Sequence, residues 1–479
     1  MSQFKRLDLP ESVREIDEPV PITVRPPTQW MGDIKSLFEL RTNLLVVWPE
    51  RAYRGLTFDF QLLNQHYFVC NSPDTVRHVF LDEHDNYDRK SPQMRNSLEP
   101  LLGDGLFVSD GELWKDRRAY CAPAFEADRL PGFAEIMVES AQELADQWAT
   151  LPPHGMVDML HEMAKLTSRI IGRTIFGDDT SDAEAAQVVN SFSDYQKAIE
   201  QLSLADTFGL SFLKWMRNPL ARIRAMRAAS KIHEVIDHII ARHETRTDKS
   251  TVTLLSLLLG EHAGKNSAPK RCPLKLVDVR NEAIVMFMAG HETTANSLAW
   301  AWYLLDHHPR AATLLHEELD RVLGGRAPTL DDVAHLPYTR AVFEETMRLY
   351  PPVPLLSRQA RASDEIRGKQ LKPDSIVLVL PWLLHRHELF WEKPDHFFPE
   401  RFLPGQTRPD KFVYVPFSVG HRVCLGLRFG LTEGILCLAT LAQRFEAKLQ
   451  PDHVMGIECR LTLRPKDGLP MTLAPRHHG

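Results

Sequence analysis

Phe417-Ser418-Val419-Gly420-His421-Arg422-Val423-Cys424-Leu425-Gly426 is the stretch on which the reading of this chain turns. One cysteine stands between a glycine four residues before it and a glycine two residues after it. An arginine lies at minus two and a phenylalanine at minus seven. The run from Leu427 to Phe445 carries Leu431, Ile435, Leu436, Leu438 and Leu441 at helical spacing and predicts a helix. Cys424 therefore precedes a helix N-terminus, where free N–H groups and the helix dipole favour an anion. A thiolate held there suits a soft metal. Local physics alone leaves open which metal, or a reactive thiol instead.

The rest of the composition narrows the class. The chain has 479 residues, 43% apolar and 25% charged, which fits a globular protein with a large core. A net charge of -6 leaves no electrostatic footprint for nucleic acid. Cysteines 70, 121, 272, 424, 437 and 459 are scattered with no C-x-x-C, which argues against a disulfide framework or a structural zinc site. A reducing, cytoplasmic setting is expected. The first 30 residues hold no long apolar run, so neither a signal peptide nor a membrane anchor is expected.

Along the chain, residues 1–60 read as an extended, proline-punctuated arm with a first short helix. Residues 61–479 read as one domain, mostly α with a smaller β region. Residues 60–82 suggest a strand pair and a helix, and Gly111 to about Gly260 is dominated by amphipathic helices. A long helix is predicted over 270–310 and more helix over 311–350. After Pro351, β-rich runs such as Ser375–Leu380 replace helix. The tail, Cys459–Leu463, then Asp467-Gly468, then Pro470–Ala474, predicts a hairpin.

Several short constellations carry possible chemistry. Ala289-Gly290-His291-Glu292-Thr293-Thr294 interrupts an apolar helix with polar residues, which are costly there unless used or satisfied. Gly290 removes a side chain one turn before the threonines, which predicts a hydroxyl-lined groove backed by the Glu292 acid and suited to proton delivery. The plainer reading is a solvated notch with Thr293 bonded back to the preceding turn. His291-Glu292 also opens an H-E-x-x-H pattern, but Ala295 stands at the second ligand position, so a zinc protease site fails. Glu345 and Arg348 are three apart on a helix that ends at Pro351-Pro352, and Trp114 and Arg118 share a helix face. Alone, each pair is ordinary surface chemistry. Cys437 reads as a small buried apolar residue.

Taken in order, Trp114/Arg118, Ala289–Thr294, Glu345/Arg348, Arg358, Pro399–Phe402 and Phe417–Gly426 resemble the cytochrome P450 family from about residue 75 onward. The cysteine stretch matches F-x-x-G-x-R-x-C-x-G at every fixed position. The resemblance implies the P450 fold and a haem-thiolate monooxygenase that places one atom of O2 in a hydrophobic substrate. It implies haem b with Cys424 as iron ligand. Gly426 would let N–H groups approach the sulfur, and Phe417 would pack beside the haem. Trp114, Arg118, Arg358 and Arg422 would meet the propionates. Glu345, Arg348 and Arg401 resemble the family's structural ion cluster. Glu292 and Thr293 resemble its acid–alcohol pair, with glutamate where aspartate is also used. His385-Arg386-His387 stands where His-Arg-Asp is usual.

The same resemblance implies a pocket lined by Phe287, Ala289, Val353, Leu355, Leu356 and Leu461, all apolar. No fused reductase is expected, so two electrons, ultimately from NAD(P)H, are expected from a separate ferredoxin and ferredoxin reductase serving a monomer. Lys115, Arg117 and Arg428 are the candidate basic surface for an acidic redox partner. Phe208, Leu210, Phe212, Leu213, Trp215 and Met216, followed by arginines, pack into the fold or rest on a membrane surface. Two other readings of the same residues are a peroxygenase or isomerase on the P450 fold, and a non-catalytic haem sensor.

Overall fold

The computed structural model describes residues 4–18, 43, 45, 48–62, 64–207, 219–247, 252–261, 274–459 and 461–476. The apolar cluster at 208–216 lies outside them. The long helices, in chain order, are α1 (Pro92–Leu102), α2 (Gly111–Cys121), α3 (Leu130–Ala149), α4 (Met159–Phe176), α5 (Asp182–Thr207), α6 (Pro219–Thr245), α7 (Leu276–His307), α8 (Pro309–Leu323), α9 (Pro337–Leu349) and α10 (Leu427–Ala442). Their ends follow local rules. Ser91 caps α1 by accepting from the Met94 N–H, and Asp158 caps α4 through Leu160 and His161. Proline opens α8 and α9 at the first turn, and Gly324 ends α8 in the left-handed region at φ 56°.

α7 is the axis of the molecule. At 1.5 Å per residue it is about 48 Å long, and from Val279 to Leu305 almost every residue is buried. A helix buried on all sides must be apolar on all sides, as the Ile284–Met288 run is. α4, α6, α9 and α10 pack around it. Two glycines let helices approach closely. A side chain at Gly290 would press into Ile171 of α4, at 2.7 Å from its Cδ1. One at Gly434 of α10 would overlap the Phe343 ring of α9. Gly290 therefore admits the neighbouring helix, and the groove expected beside it does not form.

The strands are β1 (Thr57–Leu62), β2 (Gln65–Cys70), β3 (Met156–Asp158), β4 (Leu356–Gln359), β5 (Asp364–Ile366), β6 (Lys369–Leu371), β7 (Ile376–Val379), β8 (Phe445–Leu449), β9 (Gly456–Cys459), β10 (Leu463–Lys466) and β11 (Pro470–Pro475). The largest sheet has the order β1-β2-β7-β4. β7 lies inside it, parallel to β2 and antiparallel to β4, and its Ile-Val-Leu-Val is buried throughout, as a covered central strand requires. β1 pairs with β2 across position 60, so the expected boundary between arm and domain falls inside a strand.

The tail differs from expectation. β10 pairs back onto β9, while β11 joins β8 and β3 in a separate sheet. Asp467 and Gly468 do turn with positive φ, 62° and 87°. Their turn passes the chain between sheets because Asp158 accepts from the Leu469 N–H at 2.9 Å and the Met159 N–H donates to the Leu469 carbonyl at 2.8 Å.

Candidate active site

The cysteine loop is held from both ends. Gly420 has φ 74°, and a Cβ there would overlap the Phe80 carbonyl, so the crossing of the 78–82 turn needs glycine. The Cys424 N–H donates to the Phe417 carbonyl at 3.0 Å and the Val423 N–H to the Gly420 carbonyl at 3.1 Å. The Phe417 ring lies against Gly430, and Gly426 sits at the α10 N-cap with the Cys424 Sγ 4.0 Å from where its Cβ would be. Cys424 is open on one side, yet walled by the fold. Its burial pushes the thiol up, while the Gly426 N–H and Arg118 pull it down. The helix start thus favours the thiolate as expected but does not outweigh burial. A metal cation would, since a coordinating thiol is deprotonated outright.

A rim of cations lies beside this loop. Arg89 bridges Gln359 in antiparallel register and Ser91 Oγ lies 2.9 Å from Ser357 Oγ, so Lys90 stands directly opposite Arg358. Like charges so placed repel. Arg422 Nη2 donates to the Ser109 carbonyl at 2.9 Å and lies 3.4 Å from Asp110 Oδ1. Asp110 also takes Arg95 at 2.6 Å and the Lys90 N–H at 3.2 Å. The Trp114 ring carries Arg422 at 4.4 Å and Arg118 at 5.5 Å. Burial, then the neighbouring Arg358 and Arg422, pushes Lys90 well down. Burial does the same to Arg358, Arg422 and Arg118. The rim is short of negative charge.

Beneath the loop, Glu345, Arg348 and Arg401 are brought together with no side-chain exposure. Arg348 grips both Glu345 oxygens at 2.7 and 2.8 Å, and Arg401 Nε donates to Oε1 at 3.2 Å. Arg348 also donates to the carbonyls of His385, Pro394 and His396, and Arg401 Nη2 to that of Lys393, while Arg401 Nη1 is buried with no hydrogen-bond acceptor among the described residues.

On α7, Ala289 is exposed although the helix around it is buried, and half-buried Thr293 stands one turn on along the same face. Thr293 Oγ1 donates to the Ala289 carbonyl at 2.7 Å. Glu292 is buried and clamped. Gln196 of α5 donates to its Oε2 at 2.8 Å, and Arg464 lies 3.8 Å from Oε1 while held by Glu458 at 2.6 Å. Thr294, unlike Thr293, is buried, on the side of the buried Glu433 of α10. The two threonines therefore do not line one groove. Val353, Leu355, Leu356 and Leu461 are half-buried. Phe287 is not a lining residue: it is 1% exposed and packs toward Gly172 of α4 and the His291 ring. It sits on the face of α7 opposite Ala289, because two residues turn a helix by about 200°.

The family model described as Cytochrome P450 matches residues 26–469. The chain belongs to the cytochrome P450 family. Cyclooctatin synthase of Streptomyces melanosporofaciens is 31% identical over 85% of this chain and 84% of its own length. The putative cytochrome P450 132 of Mycobacterium tuberculosis is 29% identical over 86% of this chain and 88% of its own. Carotene epsilon-monooxygenase of Arabidopsis thaliana is 28% identical over 86% and 78%. The cytochrome P450DA heme domain superposes with a TM-score of 0.76 at 24% identity, covering 88% of this chain and 90% of that one.

As a P450, the chain is a monooxygenase that uses haem iron, O2 and reducing equivalents brought by a partner. Its residues fit that cofactor: one soft donor on a glycine-flanked loop, and a rim of cations, Arg358 buried and Lys90, Arg118 and Arg422 half-buried, short of carboxylates where a dianionic edge would rest. The expected basic docking surface is smaller than read. Arg117 is buried, with Nη2 at 2.6 Å from Asp278, whereas Lys115 and Arg428 are exposed. Lys90, Gln196 and Arg464 were not singled out in the sequence. Asp88-Arg89-Lys90 looks like a solvated charge run until the register with Arg358 is known, and the Glu292 clamp joins residues far apart in the chain. Among the described residues no helix is long and apolar enough to cross a membrane.

Proposed function

We propose that this P450 oxygenates a lipophilic, largely hydrocarbon substrate, RH + O2 + 2 electrons + 2 protons giving ROH and water, or the corresponding epoxide. What carries the substrate class is that Ala289, Val353, Leu355, Leu356 and Leu461, the residues that the family resemblance assigns to the pocket, are all apolar and all exposed or half-buried. The relatives whose names include carotene and cyclooctat-9-en-7-ol, both dominated by hydrocarbon, support it. Haem, when bound, supplies the dioxygen chemistry. Cys424 would hold the iron by its thiolate, Gly426 would let an N–H temper the sulfur's donation, and Phe417 would shield the loop. Arg118, Arg358, Arg422 and Trp114, joined by Lys90, would seat the propionates.

Thr293 offers a hydroxyl whose proton is held on the Ala289 carbonyl at 2.7 Å and is free to turn toward the cleft. Glu292 stands behind it as the acid that resupplies that proton, with its carboxylate aimed by Gln196 and Arg464. Glu345, Arg348 and Arg401 brace the loop and take no part in chemistry. A separate ferredoxin delivers electrons one at a time over the face bearing Lys115 and Arg428.

Titrating the ferric protein with carotenes, cyclic alkenols and polar acids tests the substrate class. Spectral shifts with the first two groups, and products heavier by one oxygen from labelled O2 with ferredoxin, reductase and NAD(P)H, are expected. A response confined to the polar acids would sink the assignment. Turnover with peroxide alone would favour the peroxygenase reading, and ligand binding without electron consumption a sensor.

A further inference from the structure

Arg386 is enclosed by the fold, 1% exposed, and neither the oxygenation chemistry nor the Glu345 cluster uses it. Among the described residues, none of its three guanidinium nitrogens has a hydrogen-bond acceptor. An arginine carries five N–H donors in one plane, and burying them unpaired is costly. Burial pushes Arg386 down to about 10, with Asp395 pulling it back, so it is still a cation at neutral pH. The Trp382 ring lies 3.6 Å from the guanidinium and the Tyr350 ring, at the end of α9, 5.8 Å from it. These π faces attract the cation, but they accept none of its in-plane hydrogens.

Counter-charge is short as well. Asp395 Oδ1 is 3.6 Å from Nε, too far for a hydrogen bond, and its side chain is 46% exposed, so water screens it. Glu345 is already shared by Arg348 and Arg401. The flanking histidines are neutral: His385 Nε2 accepts from the Val415 N–H at 2.9 Å and His387 Nδ1 from the Leu389 N–H at 3.2 Å. Burial pushes them down to about 3 and about 4. His387 stands where an aspartate is usual, so that position brings no negative charge. One further donor is free. The Tyr53 oxygen accepts from Trp382 Nε1 at 2.9 Å and donates to no described residue. Burial pushes its phenol up while the charge of Arg386 pulls it back, which places the two within reach of each other.

We propose that Arg386 and Tyr53 hold a small monovalent anion, chloride, which supplies both the acceptor and the counter-charge that the protein leaves out. Water would satisfy the donors but not the charge. Enclosure favours an anion that sheds its hydration at low cost, so chloride rather than sulfate or phosphate. Held there, it ties Tyr53, the end of α9 and the 385–395 segment to one another. Only the folded chain assembles these groups, so the anion stabilises the fold by mass action.

The test uses the haem-loaded full chain unfolded in urea and followed by far-UV circular dichroism. Chloride replaces gluconate at constant ionic strength, from about 1 to about 300 mM, and the folding constant is expected to rise by up to about tenfold per decade once the site fills. Arg386→Met keeps the bulk and removes the charge, so its midpoint is expected to be the same in both salts. Wild-type crystals grown in bromide are expected to show an anomalous peak against the Arg386 guanidinium, a readout that needs no variant. A wild-type midpoint that does not distinguish chloride from gluconate overturns the site. So does an Arg386→Met chain that keeps the chloride response, or a bromide crystal with only water beside Arg386.

Discussion

At the residue scale, the chemistry rests on side chains whose surroundings differ from their sequence context. Cys424 and Cys437 are both thiols, but Cys437 is fully enclosed in α10, and burial with Glu433 nearby pushes it well above its ordinary range. Cys424→Ser is therefore expected to abolish the thiolate-type band of the reduced carbon monoxide complex, and Cys437→Ser to keep it; absorption spectra of the two variants decide the ligand. Thr293→Ala removes the one hydroxyl on the open face of α7, so electrons are expected to leave as peroxide, read as a higher ratio of peroxide to product at unchanged oxygen uptake. Lys90→Met removes one charge from the rim. If it holds a propionate by a charge-assisted bond of about 1.5–3 kcal/mol, haem transfer to apomyoglobin should quicken roughly 10- to 100-fold; an unchanged rate removes Lys90 from the cradle. Cys424 was legible because its loop is local: ten adjacent residues carry the glycines, the arginine and the ligand. Lys90 was not, because its meaning comes from a partner 268 positions away, from 90 to 358. Arg117 was misread for the same reason. A run of basic residues looks solvated until Asp278 and Glu282 are found against it.

At the element scale, the helices were readable where one face had to be apolar, and α7 and α10 stand within a few residues of their expected limits. The lateral position of a helix was less readable. Gly290 and Gly434 show why: a missing side chain looks alike in sequence whether it opens a groove or admits a neighbour. At Gly434 a methyl group would overlap the Phe343 ring, which is itself buried in α9. Gly434→Ala is expected to force α9 and α10 apart and lower stability by about 1–3 kcal/mol, the usual cost of overpacking. The helix preference of alanine over glycine offsets at most about 1 kcal/mol of that. A denaturant midpoint equal to or above wild type would show that the interface yields freely. The tail teaches the same lesson in strands. Asp467-Gly468 makes the turn it promised, but Asp158 ties the next residue to another sheet.

At the scale of the whole molecule, the Glu345 cluster joins α9 to the 385–401 segment, from which the chain runs on toward the cysteine loop. The sequence motif located Glu345 and Arg348, and the resemblance added Arg401. Neither revealed that four carbonyls, one at His385 and three in the 393–396 stretch, accept from the two guanidinium groups. Two cations share one carboxylate with no solvent exposure, and the Phe398 N–H also donates to Glu345 Oε1 at 2.9 Å. Such a cluster is weak evidence for stability as built, since two arginines and a glutamate have been taken out of water. Breaking it is a different matter. Glu345→Gln keeps the shape but leaves Arg348 and Arg401 charged, buried and without a counter-charge, a situation that costs about 3–5 kcal/mol. The loss should appear as a lower denaturant midpoint together with a lower haem content per chain, because the 385–401 segment loses its anchor. Arg401→Met removes one of the two cations and leaves the Arg348–Glu345 pair intact, so its loss should be smaller. If Glu345→Gln unfolds at the wild-type midpoint, the cluster does not hold these segments together, and the order of the cysteine loop must come from its own contacts, the Gly420–Phe80 crossing and the Cys424–Phe417 backbone bond among them.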